Sequence, residues 1–76
     1  MIPDFNAETL FSLAREIPVN GLHLPQYLAA VEVFLIKQAM DRSNGVCSEA
    51  AKLLQINRTT LVEKRKKYGL MNNTNH

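Results

Sequence analysis

The chain has 76 residues and a mass of 8.6 kDa, room for one small domain. Its content, 46% hydrophobic and 21% charged, is that of a globular chain, and the one cysteine, Cys47, excludes an internal disulfide. No Cys/His cluster has metal-ligand spacing, and no apolar run approaches the ~18 residues of a membrane span. No basic-then-apolar signal sequence opens the chain. The sequence therefore predicts a reduced, cytoplasmic protein without metal, cofactor or membrane. A core of this size seldom supplies more than ~3–5 kcal/mol, so oligomerisation is an expected support.

The net charge of +2 is unevenly spread. Residues 1–45 hold three basic side chains (Arg15, Lys37, Arg42) against five acidic ones (Asp4, Glu8, Glu16, Glu32, Asp41). Residues 46–76 hold six basic ones (Lys52, Arg58, Lys64, Arg65, Lys66, Lys67) against Glu49 and Glu63. A polyanion partner is expected on the C-terminal half alone, the other reading of such a run being a solvated basic helix.

Taken in chain order, residues 3–17 predict a short helix. Asp4 or Asn6 can cap it, and Leu10, Leu13, Ala14 and Ile17 share one side. Pro18 ends it by lacking an N–H and by pushing Ile17 out of helical dihedrals. A connector through Asn20-Gly21 and His23 leads to Pro25, a residue suited to a first helical turn. The second helix, 24–43, places Leu28, Ala29, Val33, Leu35, Ile36, Ala39 and Met40 on one broad stripe, widened by Val31 and Phe34. A helix apolar over more than half its circumference must be covered from two directions. One cover is the rest of the subunit. The other is predicted to be a second copy, through Leu28, Val31, Phe34, Leu35 and Met40; the alternative is the central helix of a monomeric bundle.

Asn44-Gly45 stops that helix, with glycine expected in the left-handed conformation. Two short helices follow. The third, 47–54, is predicted to carry Ala50, Ala51, Leu53 and Leu54 inward, and the fourth, 58–68, to be capped by Asn57 and closed by Gly69. The tail 72–76 has nothing to bury and is expected to be disordered. Two short helices joined around Gln55-Ile56-Asn57 have the spacing of a helix-turn-helix, with small Ala50 and Ala51 permitting a close crossing. Leu61 and Tyr68 point the fourth helix at the core, leaving Thr59, Glu63, Lys66 and Lys67 outward, flanked by Arg58 and Thr60. Such a face suits a duplex: Arg58 can pair bidentately with guanine, Thr60 can reach a base or phosphate, and the lysines suit phosphates.

The run Ala50-Ala51-Lys52-Leu53-Leu54-Gln55-Ile56-Asn57-Arg58-Thr59-Thr60-Leu61, then Glu63 to Leu70, resembles the Fis-type helix-turn-helix. That module closes the nucleoid protein Fis and most NtrC-type activators of sigma-54 RNA polymerase. Upstream, Tyr27-Leu28, Glu32, Leu35-Ile36, Ala39-Met40 and Asn44-Gly45 look like the family's dimerisation helix. The resemblance covers residues 22–70, after an N-terminal helix and connector (1–21) and before a tail (71–76). Residues 58–64 and 67–70 look most like flagellar master regulators. The resemblance implies an all-α, four-helix domain whose two N-terminal helices make a homodimer and whose helix-turn-helix reads the major grooves of a two-fold-related site in double-stranded DNA. It also implies a longer parent, in which an upstream AAA+ domain contacts sigma-54 RNA polymerase.

Carried over position by position, the resemblance places Asn57, Arg58 and Thr60 on DNA, Lys64, Lys66 and Lys67 near phosphates, and the Ser48 hydroxyl against the DNA backbone. Four positions depart from the family pattern. Val46 replaces a polar cap. Gln55 stands at a usual turn glycine, at a cost of ~1 kcal/mol if its φ is positive. Glu63 replaces a lysine of Fis itself, which lowers non-specific affinity and favours a cytosine amine. Arg65 replaces Leu or Met, its stem covering the core and its head outward. Cys47 reads as a small packing residue, His23 as a helix-start or exposed residue, and His76 as tail. Asp41 and Arg42 read as the solvated end of a helix. Glu32, in the apolar stripe, reads as a rim residue or as the partner of a cation across the dimer or from the helix-turn-helix. There is no phosphate loop and no catalytic constellation, so no enzymatic activity is predicted. A stand-alone nucleoid protein and a helical oligomerisation module that binds no nucleic acid remain the alternatives, the first opposed by the acidic N-terminal half and Glu63.

Overall fold

A computed structural model describes residues 6–71, and its fold is all-α with four helices: α1 (Ala7–Arg15), α2 (Leu24–Arg42), α3 (Cys47–Leu54) and α4 (Arg58–Lys67). The predicted helix start at Pro3, the Asp4 cap and the tail 72–76 lie outside the described residues. The chain divides between Phe34 and Leu35, within α2, into two compact units.

In the first unit, Asn6 caps α1, its Oδ1 accepting from the Thr9 N–H at 2.7 Å. The helix is shorter than the predicted 3–17. It ends at Arg15 because Glu16 is already extended (φ −155°, ψ 127°), and Ile17, next to Pro18, stays outside it and exposed. Ala14 is exposed and Leu13 half-buried, so Leu10 is the residue that α1 buries. The Tyr27 hydroxyl donates to the Leu10 carbonyl at 2.9 Å, joining α1 to the first turn of α2; Ala30, one turn further on, is also buried. The connector turns at Pro18–Gly21, whose Gly21 N–H donates to the Pro18 carbonyl at 2.8 Å. His23 is exposed and starts α2, its Nδ1 accepting from the Gln26 N–H at 3.3 Å.

The second unit holds the core: Ile36 and Ala39 from α2, Ala50 and Ala51 from α3, and Leu61 from α4. Met40, Cys47, Leu54, Ile56, Tyr68 and Leu70 pack around it. Leu61 is 0% exposed, the largest side chain fully enclosed. At 100° per residue, Cys47, Ala50, Ala51 and Leu54 fall on one face of α3, with Leu53 about 110° around the cylinder from the centre of that face. Leu53 accordingly stands 47% exposed, against the expectation that it points inward.

All three helices of this unit close in the same way. After each, a residue two or three positions past the helix end donates back to the last turn, and a residue shortly before it lies in the left-handed region. Gly45, Ile56 and Leu70 donate to the carbonyls of Met40, Ala51 and Arg65 at 2.9, 3.0 and 2.7 Å. The left-handed residues are Asn44 (φ 54°), Gln55 (φ 58°) and Gly69 (φ 68°). After α2 Gly45 (φ 81°) is left-handed as expected, and Asn44 before it is left-handed too. Asparagine tolerates this region because its short polar side chain bonds locally.

Gln55 has no such advantage, and its left-handed backbone costs roughly 1–2 kcal/mol. Glycine's extra unfolded-state entropy is smaller, ~0.4–1 kcal/mol. Gln55→Gly is therefore expected to raise the chemical denaturation midpoint, measured at equal protein concentration because association also stabilises. A lower midpoint would mean that the glutamine side chain contributes more than its backbone loses.

Candidate nucleic-acid interface

The site is built on α3, the left-handed turn and α4. Ala50 and Ala51 present almost no side chain, so α4 can approach closely, and Leu61 fills the space between the helices. Ile56 leaves the turn toward this same core. Asn57 then starts α4, its Oδ1 accepting from the Thr60 N–H at 2.7 Å. The other end of α4 is held by Leu70, which packs on the core while its N–H returns to Arg65.

With Leu61 and Tyr68 turned inward, the helical period places Thr59, Glu63, Lys66 and Lys67 on the opposite side of α4. All four are exposed, as is Arg58 at the first helical position. Thr60 and Lys64 are half-buried on the flank. Asn57 is exposed, and since its side-chain oxygen serves the cap, its amide N–H groups are what it can offer a ligand. Ser48 is exposed in the first turn of α3. The residues singled out in the sequence thus fall on two helices of one compact unit, around the turn that joins them. The interface residues named for a second copy divide differently. Leu28 and Leu35 are 51% and 43% exposed, Val31 and Phe34 are half-buried, and Met40 packs on the subunit's own core.

The electrostatics are one-sided. The last turn of α4 carries Lys64, Arg65, Lys66 and Lys67, where positive charge also complements the helix dipole. Lys67 Nζ sits 5.4 Å from the centroid of the Tyr68 ring. Arg65 is half-buried and reaches back, Nη2 to the Leu70 carbonyl at 3.5 Å, over a cleft it shares with Ile36, Lys37, Met40 and Asp41. Its head therefore contacts the C-terminal closure, where the sequence suggested an outward guanidinium. Of the two acids in this half, Glu49 pairs with Lys52 at 3.5 Å, an exposed pair of small energetic worth. α3 begins at Val46, which makes no side-chain cap bond, as expected of a valine at that position. Cys47 is half-buried against the core, a packing residue.

Among the described residues no cluster of His, Cys, Asp and Glu could hold a metal, and no helix is long and apolar enough to cross a membrane. No solved structure matches the chain. The family model described as "Bacterial regulatory protein, Fis family" matches residues 27–68, from Tyr27 in α2 through α3 and α4 to Tyr68. A helix-turn-helix of this family is a DNA-binding module and not a catalytic one. With more than half of its length matched, the chain belongs to the Fis family of bacterial regulatory proteins.

Proposed function

We propose that this chain is the C-terminal DNA-binding domain of an NtrC-type, sigma-54-dependent transcription activator of the flagellar kind, acting in the cytoplasm on an upstream activator site. The observation that carries the reading is the outer side of α4, where Thr59, Glu63, Lys66 and Lys67 stand exposed opposite the buried Leu61, with Arg58 exposed at the helix's first position. A recognition helix needs such a division, one side locked to its own domain and the other free to enter a major groove. Arg58, Thr59 and Glu63 would face base edges. Lys64, Lys66 and Lys67 would sit along phosphates, and Asn57, Thr60 and Ser48 would anchor the turn and the start of α3 to the DNA backbone. An AAA+ domain upstream in the parent would contact sigma-54 RNA polymerase.

The proposed partner protomer docks on α2. Its exposed Leu24, Leu28 and Leu35 and half-buried Val31 are spaced four, three and four residues apart, the spacing of a seam between paired helices. Two copies joined there present two recognition helices to a two-fold-related site.

Duplex binding that weakens steeply with salt supports this reading, because counterion release requires a polyanion. Binding without salt dependence, or none, would leave a helical oligomerisation module. Arg58→Ala should cost about 1–3 kcal/mol on the selected site and relax preference at one guanine. Lys67→Ala should weaken selected and random duplexes alike and flatten the salt slope; equal losses from both variants on every sequence would refute this division of roles. Sedimentation equilibrium should give roughly twice 8.6 kDa, and a clean monomer at ~100 μM would remove the α2 seam.

A further inference from the structure

Glu63 is the one carboxylate on the outer side of α4, and among the described residues it has no ion-pair partner. It lies among exposed Thr59, Lys66 and Lys67. Lysines three and four residues further along a helix are the ordinary partners of a glutamate. Neither lies within ion-pair distance of Glu63, and Lys67 Nζ is 5.4 Å from the Tyr68 ring centroid. The other acid of the basic half, Glu49, does have its lysine, at 3.5 Å. A surface that binds a polyanion weakens its own affinity by carrying a bare negative charge, unless that charge has a donor to meet in the complex.

The major groove offers few such donors. Guanine shows two acceptors there and thymine one, so both oppose a carboxylate. Adenine pairs its N6 donor with the N7 acceptor beside it. Cytosine shows its N4 amine with no acceptor of its own alongside. A carboxylate only accepts, so cytosine is the base it fits best and the other three leave it desolvated against an acceptor or beside one. Glu63 follows Arg58 by five residues, about 7.5 Å along the helix and about 140° around it, so the long Arg58 side chain at the helix start and Glu63 would meet separate base pairs of the site.

We propose that Glu63 is a base-selecting residue: its carboxylate accepts from the N4 amine of a cytosine near the guanine read by Arg58, and penalises duplexes that lack it. Selectivity is then gained by repulsion from wrong sites as well as by attraction to the right one. This inference rests on the DNA-binding reading above.

The test is selection from a pool of randomised duplexes with the intact chain and with Glu63→Gln and Arg58→Ala. Glu63 is exposed, and equal far-UV circular dichroism and denaturation midpoints should confirm that its variant folds. The unsubstituted chain should enrich one cytosine in each half-site. Glu63→Gln should lose that cytosine or exchange it for adenine, which an amide pairs bidentately, while keeping the guanine that Arg58→Ala loses. Its affinity for the unselected pool should rise by up to about ten-fold, because one repulsive charge is gone. Identical base preferences with and without the carboxylate, or a selected site with no cytosine, would overturn the proposal. Failure of the unsubstituted chain to bind any duplex would overturn the DNA-binding reading itself, a result distinct from unchanged preferences in the variant.

Discussion

One backbone residue, Gln55, sets where α4 points. Its left-handed dihedrals let the chain reverse directly after α3, so that Ile56 drops into the core and Asn57 can cap the next helix. Without that reversal Leu61 could not reach Ala50 and Ala51, and the side of α4 that carries Thr59, Glu63 and Lys66 would lose its fixed direction. The two alanines matter for what they omit. A larger side chain at either would force the helices apart or off their rotamers, typically by 1–3 kcal/mol of destabilisation. The α3–α4 pair is therefore defined by a tight contact and a left-handed hinge rather than by extensive apolar burial.

Charge is sorted by the same geometry. Leu61 and Tyr68 face the core, which leaves the basic residues of α4 little choice except the outer side and the rim. Lysines concentrate in its last turn, where they also meet the negative end of the helix dipole. The acidic first half of the sequence is electrostatically unsuited to a polyanion, so attraction to one is confined to the half that holds α3 and α4. Within that region Glu63 is an exposed negative charge, which by itself opposes a polyanion.

Much of this was legible in the sequence because the signals were local. Asn57 before a helix, Gly69 after it, the small Ala50-Ala51 pair and the 3.6-residue period of α4 each act within a few residues, and each predicts what the structure shows. The misses arose where several local signals competed. At Asn44-Gly45 the glycine is left-handed as expected, and what went unread is that Asn44, which tolerates the same region, precedes it there. Leu53 looked like core by composition, but a helix of eight residues has one buried face, and Cys47, Ala50, Ala51 and Leu54 occupy it. For α1 the proline rule constrains only Ile17, whereas the helix ends earlier, with Glu16 already extended. Leu24, Leu28 and Leu35 of α2 stand exposed, and in the sequence they show only as excess hydrophobicity.

The claim on which the account turns is that DNA is met by the outer side of α4 and the start of α3. Amide resonances of the isotopically labelled chain, followed as a duplex carrying the selected site is added, locate the contact directly. The account predicts the largest shifts and broadening at Ser48, Arg58, Thr59, Glu63 and Lys66, with α1 little changed. Perturbations centred on Ala7–Arg15, with Arg58–Lys67 unaffected, would contradict it.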